Sequence, residues 1–259
     1  MIHLSKLRFP EVESLARAGR SLVILPVGAV EEHGPHLPLG LDTFAAEAYA
    51  EAAAPHLEDG GYSVILAPAL SYGVTRQAID FPGTLTLEPA TLRALVIEIA
   101  RSLARAGFKR QVVLNGHGEI PHVRALQEAA GALAEEGTAQ MICVGFTSDP
   151  AMTRACVREG TVGLSRSPRP DREGHAGEWE TSLALYCFPN LVDTQVLETI
   201  EPNFDYDVDA LKTEKKNYRT LTAGRGYFGS PAAATADTGK ALLSIRGRNI
   251  AQVILKAFN

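Results

Sequence analysis

The sequence predicts an α/β fold: a largely parallel sheet with right-handed crossovers and helices on both faces. Three observations carry this. Short unbroken apolar runs alternate with longer stretches of helical periodicity through the first half of the chain. Those runs lack hydrophobic–polar alternation, as strands covered on both faces should. Two of them stop at glycine-containing loops rich in His and Glu, the usual layout of a site at the carboxyl edge of a parallel sheet.

The elements follow in order. Residues 21–29 are short and apolar and read as the first strand. Residues 42–57 are Ala-rich and read as a helix that ends at Asp59-Gly60-Gly61. The next strand is 63–70. Residues 89–106 form a helix with Pro89 at its start and Gly107 just past its end. Its Leu92, Leu95, Val96, Ile99 and Leu103 share one face. Strand 109–115, helix 121–136 and strand 139–146 complete the alternation. Residues 159–177 form a long polar loop, a type that is usually functional or mobile. A helix over 178–187 follows. Residues 199–238 read as irregular, with a charged patch at 212–216, and a last helix covers 240–258. No internal repeat is present, and 159–177 is the only candidate boundary. The expectation is one domain spanning 1–259.

Composition narrows the function classes. The chain has 259 residues and a net charge of −5, which gives no electrostatic support to nucleic-acid or membrane-surface binding. No apolar run approaches the roughly 18–20 residues of a transmembrane helix. Met1-Ile2-His3-Leu4-Ser5-Lys6 lacks the apolar core of a signal peptide. Cys143, Cys156 and Cys187 form no CxxC pair, and an odd number argues against a disulfide framework. They read as buried fillers in a protein of the reducing cytoplasm.

Three clusters carry the chemistry. The first, Glu31-Glu32-His33-Gly34-Pro35-His36 with Asp42, follows the first strand. Glu, His and Asp are the usual ligands of hard or borderline divalent metals. The second, Asn115-Gly116-His117-Gly118-Glu119, closes the 109–115 strand. The third, Gly174-His175-Ala176-Gly177-Glu178-Trp179-Glu180-Thr181, lies at a loop-to-helix junction. Glu178 and Glu180 are two apart, so only one faces a given side. Each cluster alone has a plainer reading: a surface loop, a turn with an exposed His, or a helix-capping acidic pair. Together, with two of them at strand ends in an alternating fold, they point to one metal site. His3, His56 and His122 remain as surface or packing residues.

The order and spacing of Glu31-x-His33-Gly34-x-His36, Asp42, Asn115-Gly116-His117-Gly118 and His175-Ala176-Gly177-Glu178-x-Glu180-Thr181-Ser182 resemble the creatininase family. Phe81-Pro82-Gly83-Thr84 and Gly229-Ser230-Pro231 add to the match. The resemblance implies a three-layer α/β/α domain with a mostly parallel central sheet and a homohexameric assembly. It implies two divalent metal ions per chain, zinc first, with manganese or iron also accommodated by mixed O/N ligands. It implies hydrolysis of a C–N bond, other than a peptide bond, in an amide, formamide or cyclic amide of a small-molecule substrate. Glu31 and His117 would hold the first metal, His33 the second, and Asp42 both. The last ligand is Glu119 or Glu180, with Glu180 preferred because its motif is matched in full. His175 corresponds to the family's catalytic histidine.

The substrate stays open, since the wider family includes a formamide hydrolase, a precursor-peptide peptidase and a hydrolase of oxidised inositol. Arg166, Arg169 and Arg172 are candidates for an anionic substrate but read first as solvated loop charges. Trp179 either walls the pocket or packs. A metal-dependent hydrolase, lyase or isomerase acting on a sugar- or inositol-like substrate is the alternative. A non-catalytic metal scaffold has no use for His175.

Overall fold

The computed structural model describes residues 1–211 and 217–258; the charged patch at 212–216 lies outside the described residues. Five parallel strands, β1 (Ile2–His3), β2 (Ser21–Val27), β3 (Ser63–Leu66), β4 (Arg110–Asn115) and β5 (Gln140–Gly145), are ordered β1-β3-β2-β4-β5. The order reverses direction between β2 and β4, which makes their carboxyl ends a topological switch point. Val27 pairs with Asn115, so the loops after these two strands leave the sheet level with each other.

Helices cover both faces, giving the three-layer α/β/α architecture. Successive residues of β2 point to opposite sides. Val23, Leu25 and Val27 join the core formed with α3 (Pro89–Arg105) and α4 (Ile120–Glu135). Leu22 and Ile24 join the core formed with α2 (Leu41–Asp59) and the last helix. All seven residues of β2 are buried, which is why its sequence shows no alternation.

Two elements had no sequence signal. The edge strand β1 is only two residues long. Helix α1 (Phe9–Arg17) begins after Arg8, which is not a usual N-cap residue. The Glu11 carboxylate instead accepts the Arg8 backbone N–H at 2.9 Å. Strand β3 stops at Leu66 rather than 70. Pro68 has no N–H for the ladder, and only Leu70 returns, bridging to Val27.

Beyond β5 the chain is irregular. A short α5 (Pro150–Thr153) runs into one turn of π-helix (Arg154–Arg158). Then come α6 (Glu178–Cys187) and the one-turn helices α7 (Thr194–Leu197), α8 (Val208–Leu211) and α9 (Tyr218–Leu221). The last helix, α10 (Ala236–Phe258), packs on both α2 and α6. It starts earlier than 240 because the Thr235 hydroxyl accepts the Thr238 N–H at 3.1 Å and caps it.

Candidate metal centre

The loop after β2 brings Glu31 and His33 to the sheet edge, and the first turn of α2 brings Asp42 beside them. The turn after β4 adds His117. Here the backbone must pass very close to α2: a Cβ on Gly116 would sit 2.3 Å from the Asp42 carbonyl oxygen, so only glycine fits. Asn115 holds the turn. Its Nδ2 donates to the carbonyls of His117 (2.7 Å) and Phe146 (2.9 Å), and its Oδ1 accepts the His117 N–H at 3.0 Å.

Second partners fix how both histidines point. His117 Nε2 donates to the Val74 carbonyl at 2.9 Å, which leaves Nδ1 facing Asp42 Oδ2 at 3.0 Å and Glu31 Oε1 at 3.2 Å. His33 Nδ1 donates to the Glu31 carbonyl at 3.1 Å, which leaves Nε2 facing Asp42 Oδ1 at 3.2 Å. A histidine whose far nitrogen is tied to a backbone carbonyl is oriented as metal ligands usually are. Thr75 donates its hydroxyl to Glu31.

The third cluster meets these from the other side. Ala176 takes a left-handed backbone, φ 53°, and donates its N–H to Glu180 Oε2 at 2.6 Å. This turns Glu180, in the first turn of α6, toward His33 and Asp42. His175 Nε2 donates to the Glu32 carbonyl at 2.7 Å, and its Nδ1 lies 3.5 Å from Glu31 Oε1. The donor atoms of Glu31, Asp42 and His117 lie within 4.8 Å of one another, as do those of His33, Asp42 and Glu180. The two sets share Asp42. A third set, Glu31, His33 and His175, meets the same 4.8 Å spacing.

The cluster suits a cation. Asp42 Oδ2 and His33 Nε2 are buried and have no hydrogen-bond partner among the described residues, although each lies near an opposing donor or acceptor. Buried polar atoms without partners are costly, and a bound cation would satisfy both. Electrostatics agree. Burial alone would depress the basicity of His117, but Glu31 and Asp42 outweigh it and raise it well above the ordinary range. His33 is raised likewise, against burial, chiefly by Asp42. Burial also opposes charge on Glu31 and Asp42, yet the neighbouring histidines hold both carboxyls below their usual range. For His175, burial is overcome by Glu32, Glu31 and Glu180, and its pKa is raised to about 10.

Glu119 stands apart from all three sets. It is the N-cap residue of α4, and its two oxygens accept the N–H groups of Arg76 (3.0 Å) and Gln77 (3.1 Å). Burial raises its pKa. Glu178 turns away from Glu180 and gathers the loop at Ser165, Arg166 and Ser167. His36 also turns away, with Nε2 2.9 Å from Thr181 Oγ1. None of the cysteines joins a donor set among the described residues; Cys156 is buried and Cys143 and Cys187 are half-buried.

Three residues were missed. His122, read from sequence as surface or packing, is fully buried beneath His117, with ring centroids 4.8 Å apart. It contacts Asn115 Oδ1 at 3.1 Å and accepts the Val74 N–H at 3.1 Å. Tyr218 places its ring 4.7 Å from that of His175. Burial and the surrounding carboxylates Glu31, Glu119, Glu180 and Asp42 raise its phenol well above the ordinary range. Arg246 of α10 lines the same cavity, which has a volume of about 390 Å³. Trp179 walls that cavity rather than merely packing. The loop arginines do not line it: Arg169 pairs with Asp171, and Arg172 donates to the Tyr206 carbonyl. A Tyr or Arg far along the chain, in irregular or helical sequence, carries no local motif that marks it.

Comparison with known proteins adds to this geometry. The family model described as "Creatininase: Creatinine amidohydrolase" matches residues 5–254. The creatinine amidohydrolase of Pseudomonas putida is 31% identical over 271 residues, covering 99% of this chain and 97% of that one. The mycofactocin precursor peptide peptidase of Mycolicibacterium smegmatis is 31% identical over 228 residues, covering 86% of this chain and 80% of that one. A crystal structure of creatinine amidohydrolase superposes with a TM-score of 0.73 at 30% identity, covering 99% and 98% of the two chains.

Proposed function

The chain belongs to the creatininase family of metal-dependent hydrolases of carbon–nitrogen bonds, and from that premise we propose a binuclear amidohydrolase centre with named roles. Glu31 and His117 hold the first cation, His33 and Glu180 the second, and Asp42 both. The observation that carries this reading is the pair of donor sets joined at Asp42. Zinc is the first choice, and the mixed oxygen and nitrogen donors also suit manganese or iron. When bound, two such cations supply an acidified water and polarise a carbonyl.

The chain's own residues do the rest. The His117–Val74 and His33–Glu31 backbone contacts hold the donor nitrogens before any cation arrives. His175 lines the cavity, with its Nε2 held by the Glu32 carbonyl and its Nδ1 turned toward Glu31. It delivers a proton to the departing nitrogen, the kind of step imidazoles perform. Tyr218 braces the His175 ring, and Trp179 and Phe146 provide apolar wall that limits water. Glu119 acts at one remove by pinning the Arg76–Gln77 backbone, whose neighbour Thr75 holds Glu31.

The unit spans 1–259 as one domain, which the packing of α10 on α2 and α6 supports. A homohexameric assembly and a cytoplasmic location are the accompanying proposals; the cysteines are free, and among the described residues no helix is long and apolar enough to cross a membrane. Sugar or inositol chemistry without C–N cleavage is less well supported: the 3-dehydro-scyllo-inosose hydrolase of Thermotoga maritima is 34% identical but covers 70% of this chain and 55% of that one, against 99% and 97% for the amidohydrolase.

Elemental analysis tests the centre. The expected value after gentle purification and metal addition is about two divalent ions per chain. A reproducible value near one would defeat the binuclear assignment. Ammonia or amine release from a panel of amides and lactams, abolished by chelation and restored by metal, tests the reaction class.

A further inference from the structure

Arg246 is the charge in this cavity that the mechanism above does not use. It is 8% exposed. Its Nε donates to the Val157 carbonyl at 2.9 Å and its Nη1 to the Tyr49 hydroxyl at 2.6 Å. Both acceptors are neutral. Nη2 has no bond, and no carboxylate lies within ion-pair distance of the guanidinium, among the described residues. Buried arginines are almost always paired with an anion.

Among the described residues no carboxylate of the cavity wall forms an ion pair with Arg246: Glu31, Asp42 and Glu180 belong to the donor sets. Asp171 is taken by Arg169 at 2.9 Å. Glu173 accepts the backbone N–H groups of Glu178 (2.6 Å) and Ser230 (2.9 Å). A second cation, Arg158, ends the π-helical turn at the same cavity and is exposed, with no ion pair among the described residues. Tyr49 holds Arg246 by its hydroxyl and by its ring, whose centroid lies 5.7 Å from Cζ, and Arg246 lines the same cavity as the metal donors Glu31, Asp42 and Glu180. Trp179 and Val157 line the cavity too, and such apolar walls strengthen a charge pair by excluding water.

We propose that Arg246, with Arg158 at the rim, forms a carboxylate-binding subsite, so that the substrate is an amide carrying an anionic carboxylate group. This rests on the amidohydrolase reading and narrows its substrate class. The planar fork of arginine suits a carboxylate, which it can hold by two parallel bonds. The unused Nη2 is the donor available for this.

The test uses the metal-loaded full chain and two probes of matched shape, succinamate and its neutral counterpart succinamide, with binding measured by titration calorimetry. Succinamate is expected to bind about tenfold or more tightly than succinamide, the scale of one charge-assisted contact. Arg246→Met, folded by circular dichroism and with full metal content, loses that preference. Arg246→Lys keeps part of it, because charge remains while the fork is gone. If the methionine variant does not fold, the lysine variant and the wild-type preference still decide. Equal affinity for the two probes, no binding of either, or a preference that survives Arg246→Met overturns the subsite; in the last case the metals alone hold the carboxylate. Metal content on the same samples separates the readings. Full metal without a preference overturns the subsite alone, whereas absent metal overturns the function beneath it and the subsite with it.

Discussion

The loops after β2 and β4 deliver Glu31, His33, Asp42 and His117 on short connections anchored to the sheet, whereas His175, Glu180 and Tyr218 come from the stretch between β5 and α10, whose described residues add no strand to it. The first four are 0–4% exposed. The other three are only partly buried and face the cavity. Each sheet-edge histidine is locked by a backbone carbonyl, Val74 for His117 and Glu31 for His33. On the irregular side His175 is likewise held by a backbone carbonyl, that of Glu32 at 2.7 Å, but its own loop is not anchored to the sheet and takes a left-handed turn at Ala176, whose N–H aims Glu180. The difference teaches a division of labour. Under the proposed function, the sheet edge would preorganise a fixed set of donors, and the irregular half would complete it and supply the groups that meet the substrate.

The strongest way to break this comparison is to remove the residue common to both donor sets. Asp42→Ala is expected to leave little bound metal and only background turnover, measured by elemental analysis beside an activity assay. Retention of one tightly held ion would show that the sets do not depend on their shared carboxylate.

Next comes Glu180→Gln against Glu119→Gln. Loss of Glu180 should empty one site, read by titration against a competing chelator. Loss of Glu119 should cost only about 10–100-fold in affinity or activity, as expected of a residue that acts through its neighbours. If the outcomes exchange, the irregular half is not completing the centre and the β4–α4 junction does so instead.

His175→Ala tests whether that half supplies chemistry as well as a ligand. Metal content should hold while turnover falls by about 10²–10⁴-fold. Because His175 also falls within reach of Glu31 and His33, loss of a metal ion in this variant would reassign it as a ligand.

Proton linkage sharpens the picture of the sheet-edge donors. Without metal, His117 and His33 hold a proton more tightly than an ordinary imidazole does, because Glu31 and Asp42 face them. A cation needs the neutral imidazole, so binding must expel protons. Apparent metal affinity should therefore rise with pH through neutrality, by about tenfold per pH unit for each proton released. Calorimetry in two buffers of different ionisation enthalpy reads the proton count directly. The same raised values give the metal-free fold stability that is fully present below about pH 6.5, the unfolded histidine value, and lost as pH rises through the folded values. Melting of the apoprotein across pH checks that sign.

The smallest expected effects come from a glycine pair. Gly116→Ala puts a Cβ 2.3 Å from the Asp42 carbonyl oxygen, so it should destabilise by about 1–3 kcal/mol and weaken metal binding. Gly163→Ala, in the irregular half, meets nothing within 4 Å and should shift stability by no more than about 0.5 kcal/mol. Equal losses in thermal melts would deny that the close approach to the Asp42 carbonyl is what requires glycine at 116.

The alternation of apolar runs and helical periods was enough to derive the parallel sheet with helices on both faces, because burial on both sides writes itself into contiguous sequence. Motifs at strand ends likewise marked Glu31, His33, Asp42 and His117, since a glycine-flanked turn and its ligand lie within a few residues of each other. Contacts made across long stretches of chain were settled by the tertiary structure alone. Between Glu119 and Glu180 the sequence offers only a fuller motif match around Glu180; in the structure the Arg76–Gln77 backbone occupies the Glu119 carboxylate, while the Ala176 turn aims that of Glu180 at Asp42. His122 becomes a support for the site, and Arg246 a buried charge with no ion pair among the described residues, only through what the fold lays against them, because hydrogen bonding, burial and charge compensation depend on neighbours in space rather than on position along the chain.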